Sequence, residues 1–80
     1  MKKVTLYTRR GCHLCDEAKL AIDSARLRRP FDYEELDIDS DPKLRTLYNE
    51  EVPVITIDGA KAFKFRLRAE DLLKKLESRS

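Results

Sequence analysis

Eighty residues, 41% hydrophobic and 40% charged, make one small globular domain, residues 1–80, rather than two or a disordered chain. A chain this short buries only ~60% of the surface its unfolded form exposes, so division would leave neither half a core. The formal net charge is only +2 and the basic positions lack interleaved exposed aromatics, which argues against a nucleic-acid binder.

Lys3-Val4-Thr5-Leu6-Tyr7-Thr8 is rich in β-branched and aromatic residues and stops at Arg9-Arg10-Gly11, which predicts a first strand followed by a loop. Its apolar part, Val4 to Tyr7, is too short for a signal-peptide core or a membrane span, so a cytoplasmic location without membrane contact is expected, and separately the domain is expected to be a monomer. From Leu14 the apolar residues recur as Ala18, Ala21, Ile22 and Ala25, with Leu20 and Leu27 widening the stripe. This spacing predicts a helix running to about Arg28 and ending before Pro30.

Phe31 to Ile38 alternates imperfectly, with Phe31, Tyr33, Leu36 and Ile38 apolar, and predicts a second strand at a sheet edge. Asp41-Pro42 has the residues of a helix start, and Leu44, Leu47 and Tyr48 are expected to form the buried face of a short helix. Val52 to Ile57 predicts a strand, Asp58-Gly59 a two-residue turn, and Lys61 to Phe65 the returning strand, with Phe63 and Phe65 both facing the core. A final helix begins at Arg68-Ala69-Glu70-Asp71 and turns Leu72, Leu73 and Leu76 inward, before a polar tail expected to fray. The order βαβαββα fits a four-stranded mixed sheet, part parallel and part antiparallel, with three helices over its two faces.

Charge is unevenly spread along this order. Residues 32–51 hold eight acidic side chains against Lys43 and Arg45, a local balance of −6, so the rest of the chain carries +8. Arg9 and Arg10, and later Lys61, Lys64, Arg66 and Arg68, would draw an anionic partner to one side.

The two cysteines of the chain are Cys12 and Cys15, three positions apart where the first strand turns into the first helix. That spacing lets the thiols meet within one helical turn, so a disulfide opens and closes without rearranging the fold. If the helix starts near Cys12, its free amides and dipole favour a thiolate there, and Arg9, Arg10 and a protonated His13 add to the effect. Cys15, one turn further in, is placed to resolve a mixed disulfide formed at Cys12. Two other readings stay open on these residues: a metal or iron–sulfur-cluster module, for which one chain offers Cys12, His13 and Cys15, and a redox-inert adaptor.

Tyr7-Thr8-Arg9-Arg10-Gly11-Cys12-His13-Leu14-Cys15, Val52-Pro53-Val54 and Asp58-Gly59 together resemble the glutaredoxin and thioredoxin-like families, and the element order is similar over essentially the whole chain. The resemblance implies a minimal thioredoxin fold and a glutaredoxin-like thiol–disulfide oxidoreductase with a nucleophilic Cys12 and a resolving Cys15. It also implies a cis peptide at Val52-Pro53, whose backbone would pair with the substrate, and Arg9 at the position that grips the glutathione carboxylate. It implies no tightly bound cofactor, protein disulfides as substrates, and glutathione or a thioredoxin reductase system as reductant. Two departures stand out. His13-Leu14 replaces the usual Pro-Tyr, and Phe65-Arg66-Leu67-Arg68 replaces the usual Gly-Gly turn with its adjacent Asp, which counts against efficient glutathione use.

Overall fold

A computed structural model describes residues 2–49 and 51–77, so the expected fraying of the tail, residues 78–80, lies outside the described residues. Four strands, β1 (Lys3–Thr8), β2 (Asp32–Asp37), β3 (Val54–Ile57) and β4 (Ala60–Lys64), form one sheet in the order β2-β1-β3-β4. The β1–β2 pair is parallel and the β1–β3 and β3–β4 pairs are antiparallel. Helices α1 (His13–Arg28), α2 (Pro42–Tyr48) and α3 (Ala69–Glu77) complete the βαβαββα order expected from the sequence.

Strand alternation sorts the sheet residues onto two faces. On one, Val4 lies opposite Ile57 and Leu6 opposite Ile55, and these four pack with Ala18, Ile22 and Ala25 of α1 and Leu72 and Leu76 of α3. Val4, Leu6, Ile22, Ile55 and Leu72 are fully buried, each contributing roughly 1.5–3 kcal/mol of transfer free energy. The small Ala18 and Ala25 flank Ile22 at helical spacing and let α1 sit close to the sheet. Leu20 and Leu27, expected to widen the stripe, are instead 69% and 90% exposed. They lie on nearly the opposite side of α1 from Ile22, beyond the reach of the sheet and α3. The helix stops at Arg29, whose extended backbone precedes Pro30.

On the other face the Tyr7 and Tyr48 rings meet at 4.7 Å, which seats α2 against β1. Asp41 caps α2 by accepting the Lys43 N–H at 2.9 Å, and Pro42 occupies the first turn. The expected buried triad of α2 is only partly realised: Leu44 and Tyr48 are half-buried on one stripe, whereas Leu47 is 64% exposed on the flank. A seven-residue helix presents one i, i+4 stripe to the sheet, and Leu47 is not on it. β2 is an edge strand as expected but ends at Asp37, and Ile38 is buried as the first residue of a 3₁₀ turn, Ile38–Ser40, rather than continuing the strand.

Thr56 faces this second side at 4% exposure, beside Thr5, and its Oγ1 is buried without a hydrogen-bond partner among the described residues. Replacing an unsatisfied buried hydroxyl with a methyl of the same shape removes a desolvation penalty. Thr56→Val is therefore expected to stabilise the domain by about 1 kcal/mol. Thermal unfolding checks this: Tm should rise by about 4–8 °C, and a fall would mean the hydroxyl is satisfied in solution.

The β3–β4 hairpin turns at Asp58 and Gly59, with φ of 52° and 88°, the paired positive angles of a type I′ turn. Asp58 also ties the turn to β1, its N–H donating to the Lys3 carbonyl at 2.8 Å and its carboxylate accepting the Lys3 N–H at 2.9 Å. The register slips between Ile55, opposite Phe63, and Thr56, opposite Lys61, so Ala62 is an extra residue on β4. Phe63 packs against the core. Phe65 does not, which corrects the expectation of two core phenylalanines: β4 ends at Lys64, and Phe65 is 40% exposed in the left-handed region at φ 71°.

Candidate active site at the Cys12–Cys15 turn

β1 delivers the chain to a tight turn in which the Cys12 N–H donates to the Arg9 carbonyl at 3.2 Å. Gly11 makes this possible at φ 79°; a Cβ there would touch nothing, so the requirement is on the backbone angle and not on space. Cys12 then keeps an extended backbone and caps α1, its Sγ accepting the Cys15 N–H at 3.1 Å. A sulfur thus takes the place usually filled by a Ser, Asp or Asn oxygen, and a thiolate there would meet both that amide and the positive end of the helix dipole.

Cys12 and Cys15 are joined as a disulfide with their Cα atoms 5.2 Å apart. The two ends differ in access. Cys15 is 2% exposed beneath the first turn of α1, whereas Cys12 is only half-buried. An incoming disulfide therefore meets Cys12 first.

Around the pair the other expected residues take different places. The register of Tyr7 with Val54 sets Pro53 alongside Thr8, at the sheet end from which the Cys12 turn leaves. Val52-Pro53 is cis, Pro53 is buried, and the Val52 N–H and C=O make no hydrogen bond among the described residues. Arg10 is exposed and has no partner among the described residues. His13 is 88% exposed with Nε2 3.4 Å from a Glu17 carboxylate oxygen one turn on. Arg9 is tethered: its Nε donates to Asp39 at 3.1 Å and one terminal nitrogen donates to the Asn49 carbonyl at 3.1 Å. Arg45 shares Asp39 at 3.4 Å, so this guanidinium ties the active-site turn to the 3₁₀ turn and the end of α2.

A cleft of about 400 Å³ opens beside Cys15, between the first turns of α1 and the ends of β1 and β2, with Arg10, Asp16, Lys19, Glu35 and Asp37 in its walls. Lys19 Nζ and Glu35 are paired across it at 3.3 Å. The register of β2 on β1 creates this wall, because Glu35 aligns with Leu6 and so falls on the core-side face of an edge strand. Next to it, burial and then the Glu35 carboxylate, which accepts the Tyr33 hydroxyl at 3.2 Å, hold the Tyr33 phenol well above its usual range. Among the described residues no group of three or more His, Cys, Asp and Glu side chains is placed to hold a metal ion. Nor is any described helix long and apolar enough to cross a membrane.

The model of the glutaredoxin-like domain (DUF836) matches residues 3–77, nearly the whole chain and both cysteines. The chain belongs to this glutaredoxin-like family. No curated protein matches it. Among solved structures, this glutaredoxin-like domain is similar to XcR50 from X. campestris, at 31% identity over 96% of this chain and 99% of that one, with a TM-score of 0.80. Protein Ne2328 from Nitrosomonas europaea is 28% identical over 92% of this chain and 89% of that one, with a TM-score of 0.78. A chloroplastic thioredoxin z, 14% identical over 95% of this chain and 75% of its own, superposes with a TM-score of 0.79 and shows the shared thioredoxin fold alone. Family, fold and cysteine pair together indicate a thiol redox role for the domain.

Proposed function

We propose that the domain is a thiol–disulfide oxidoreductase that reduces protein or glutathione mixed disulfides through Cys12 and Cys15. The observation that carries this reading is the asymmetry of the pair, an accessible Cys12 capping a helix and a Cys15 shielded beneath it. In the reduced domain, the Cys12 thiolate attacks one sulfur of a substrate disulfide, forming a mixed disulfide and expelling the other sulfur as a thiolate that takes a proton from water. Cys15 then gives up its proton and attacks Cys12 Sγ, which closes the intramolecular disulfide and releases the second substrate thiol. Two electrons leave the dithiol and two substrate thiols result.

The unpaired Val52 N–H and C=O support a role in holding the substrate backbone as an added strand. Arg10 and His13 tune the thiolate electrostatically in this reading. Arg9 contributes by fixing the turn, and its tether to Asp39 and Asn49 leaves less of it for a substrate carboxylate. Each cycle needs two electrons from outside, from glutathione or a thioredoxin reductase system, and the setting is the cytoplasm, where thiols stay reduced. The domain would act as a monomer.

The test is a coupled assay. The oxidised domain is offered to glutathione with its reductase and, separately, to thioredoxin reductase, with NADPH consumption recorded. Re-reduction by either supports the oxidoreductase reading. A pair that neither system reduces, and whose reduced form leaves a small model disulfide intact, would overturn it.

A further inference from the structure

The turn after β4 holds a conformation that its own packing does not require. Arg66 N–H donates to the Lys64 carbonyl at 2.8 Å across Phe65 at φ 71°, a γ-turn whose positive central angle is strained for any residue with a side chain. Glycine would adopt this turn freely, so what Phe65 adds is its ring. That ring is 40% exposed, with the Lys64 ammonium 5.3 Å from its centre.

The position of the turn is fixed by three connections. Lys64 pairs with Val54 and Val54 with Tyr7, so β4 ends at the same end of the sheet from which the Cys12 turn leaves. The Phe65 N–H donates to the Pro53 carbonyl at 2.8 Å, which locks the turn onto the proline segment. Arg29 at the end of α1 pairs with Glu77 at the end of α3 at 3.6 Å, so α3 begins, just after Arg68, on its side nearer the Cys12 end. Arg66 and Arg68 are exposed, and neither guanidinium has a partner among the described residues. Lys64 shares its charge with Glu51 at 3.9 Å, so the unopposed positive charge is that of the two arginines.

We infer that Phe65, Arg66 and Arg68 dock the polypeptide of a disulfide-bearing protein substrate, selecting a segment in which an apolar side chain and acidic residues flank the attacked cysteine. This rests on the oxidoreductase reading and adds the substrate class. An exposed aromatic ring beside guanidinium groups is the composition that dominates protein recognition sites. Two unpartnered cations favour an anionic partner and speed its encounter in a salt-dependent way. The open backbone of Val52 suits an extended chain running past the ring.

The experiment uses the pre-reduced protein in single turnover, so that no external reductant enters. Three disulfides are compared: a peptide with Leu and Glu beside its cysteine, the same peptide with Lys in place of Glu, and oxidised glutathione. The acidic peptide should react about tenfold faster than the basic one at low ionic strength, with the gap narrowing as salt is added. In Arg66→Glu/Arg68→Glu, an exposed double variant, the preference should vanish or invert. Phe65→Gly, which relaxes the turn and removes the ring, should slow the acidic peptide several-fold. Wild-type rates within twofold for the two peptides, a preference that survives the charge reversal, or fast reaction with oxidised glutathione alone would overturn the inference while leaving the oxidoreductase reading in place. Reaction with none of the three would overturn that reading itself.

Discussion

Cys12→Ser should bring disulfide reduction down to the uncatalysed rate, while Cys15→Ser should still react once and then stall as a mixed disulfide on Cys12. The two substitutions are chemically identical, and only position separates them. A serine at 12 can still accept the Cys15 N–H and cap α1, so the fold survives, but its hydroxyl cannot form or exchange a disulfide. A serine at 15 leaves the more accessible thiol of Cys12, the capping amide and the helix dipole in place, so the first attack proceeds. What is lost is the thiol held within reach of Cys12 Sγ, and without added glutathione nothing resolves the adduct. Intact-mass measurement after one exposure to a disulfide peptide should show the adduct on Cys15→Ser and none on Cys12→Ser. Adduct on both, or equal turnover by both, would mean that the Cys12 sulfur is not the nucleophile.

Much of this site is legible in the sequence because its chemistry is local. Gly11 supplies the left-handed angle, Cys12 the cap, and the three-residue spacing brings Cys15 under it, all within one turn of chain. The partners of Arg9 are not local. Asp39 and Asn49 lie 30 and 40 positions away, and only the fold shows that an arginine beside the cysteines is committed to holding the turn. The Lys19–Glu35 pair beside Cys15 is similarly invisible until β2 is aligned on β1.

The fold divides the same way. Strands and helices follow from periodicity, and the type I′ turn from Asp58-Gly59. The misplaced residues, Leu20, Leu27, Leu47 and Phe65, all have the hydrophobicity of core positions and lack only a neighbour to cover them. Periodicity reports that a residue is apolar, whereas burial depends on whether another element lies over it. At Phe65 a one-residue bulge and a γ-turn intervene, and two-residue alternation cannot be carried through either.

Ile22→Ala should cost about 3 kcal/mol, and oxidation of the cysteine pair should not recover it. Ile22 is fully buried where α1 meets the sheet and α3, so truncation loses transfer free energy and leaves a cavity among residues that cannot close over it. A domain of this size has a net stability of roughly 4–12 kcal/mol, which makes the loss a large fraction of the total. The disulfide cannot offset it. It links residues three apart, a very short loop, for which the chain-entropy argument gives only about 2 kcal/mol, and that contribution is present in wild type and variant alike. Urea unfolding of both redox forms should therefore show the same displacement on substitution, with the gap between oxidised and reduced midpoints unchanged. A loss below about 1 kcal/mol would mean that the helix–sheet contact relaxes around the cavity, contrary to the close packing enforced by Ala18 and Ala25. A loss confined to the reduced form would mean that the disulfide, and not the core, holds α1 in place.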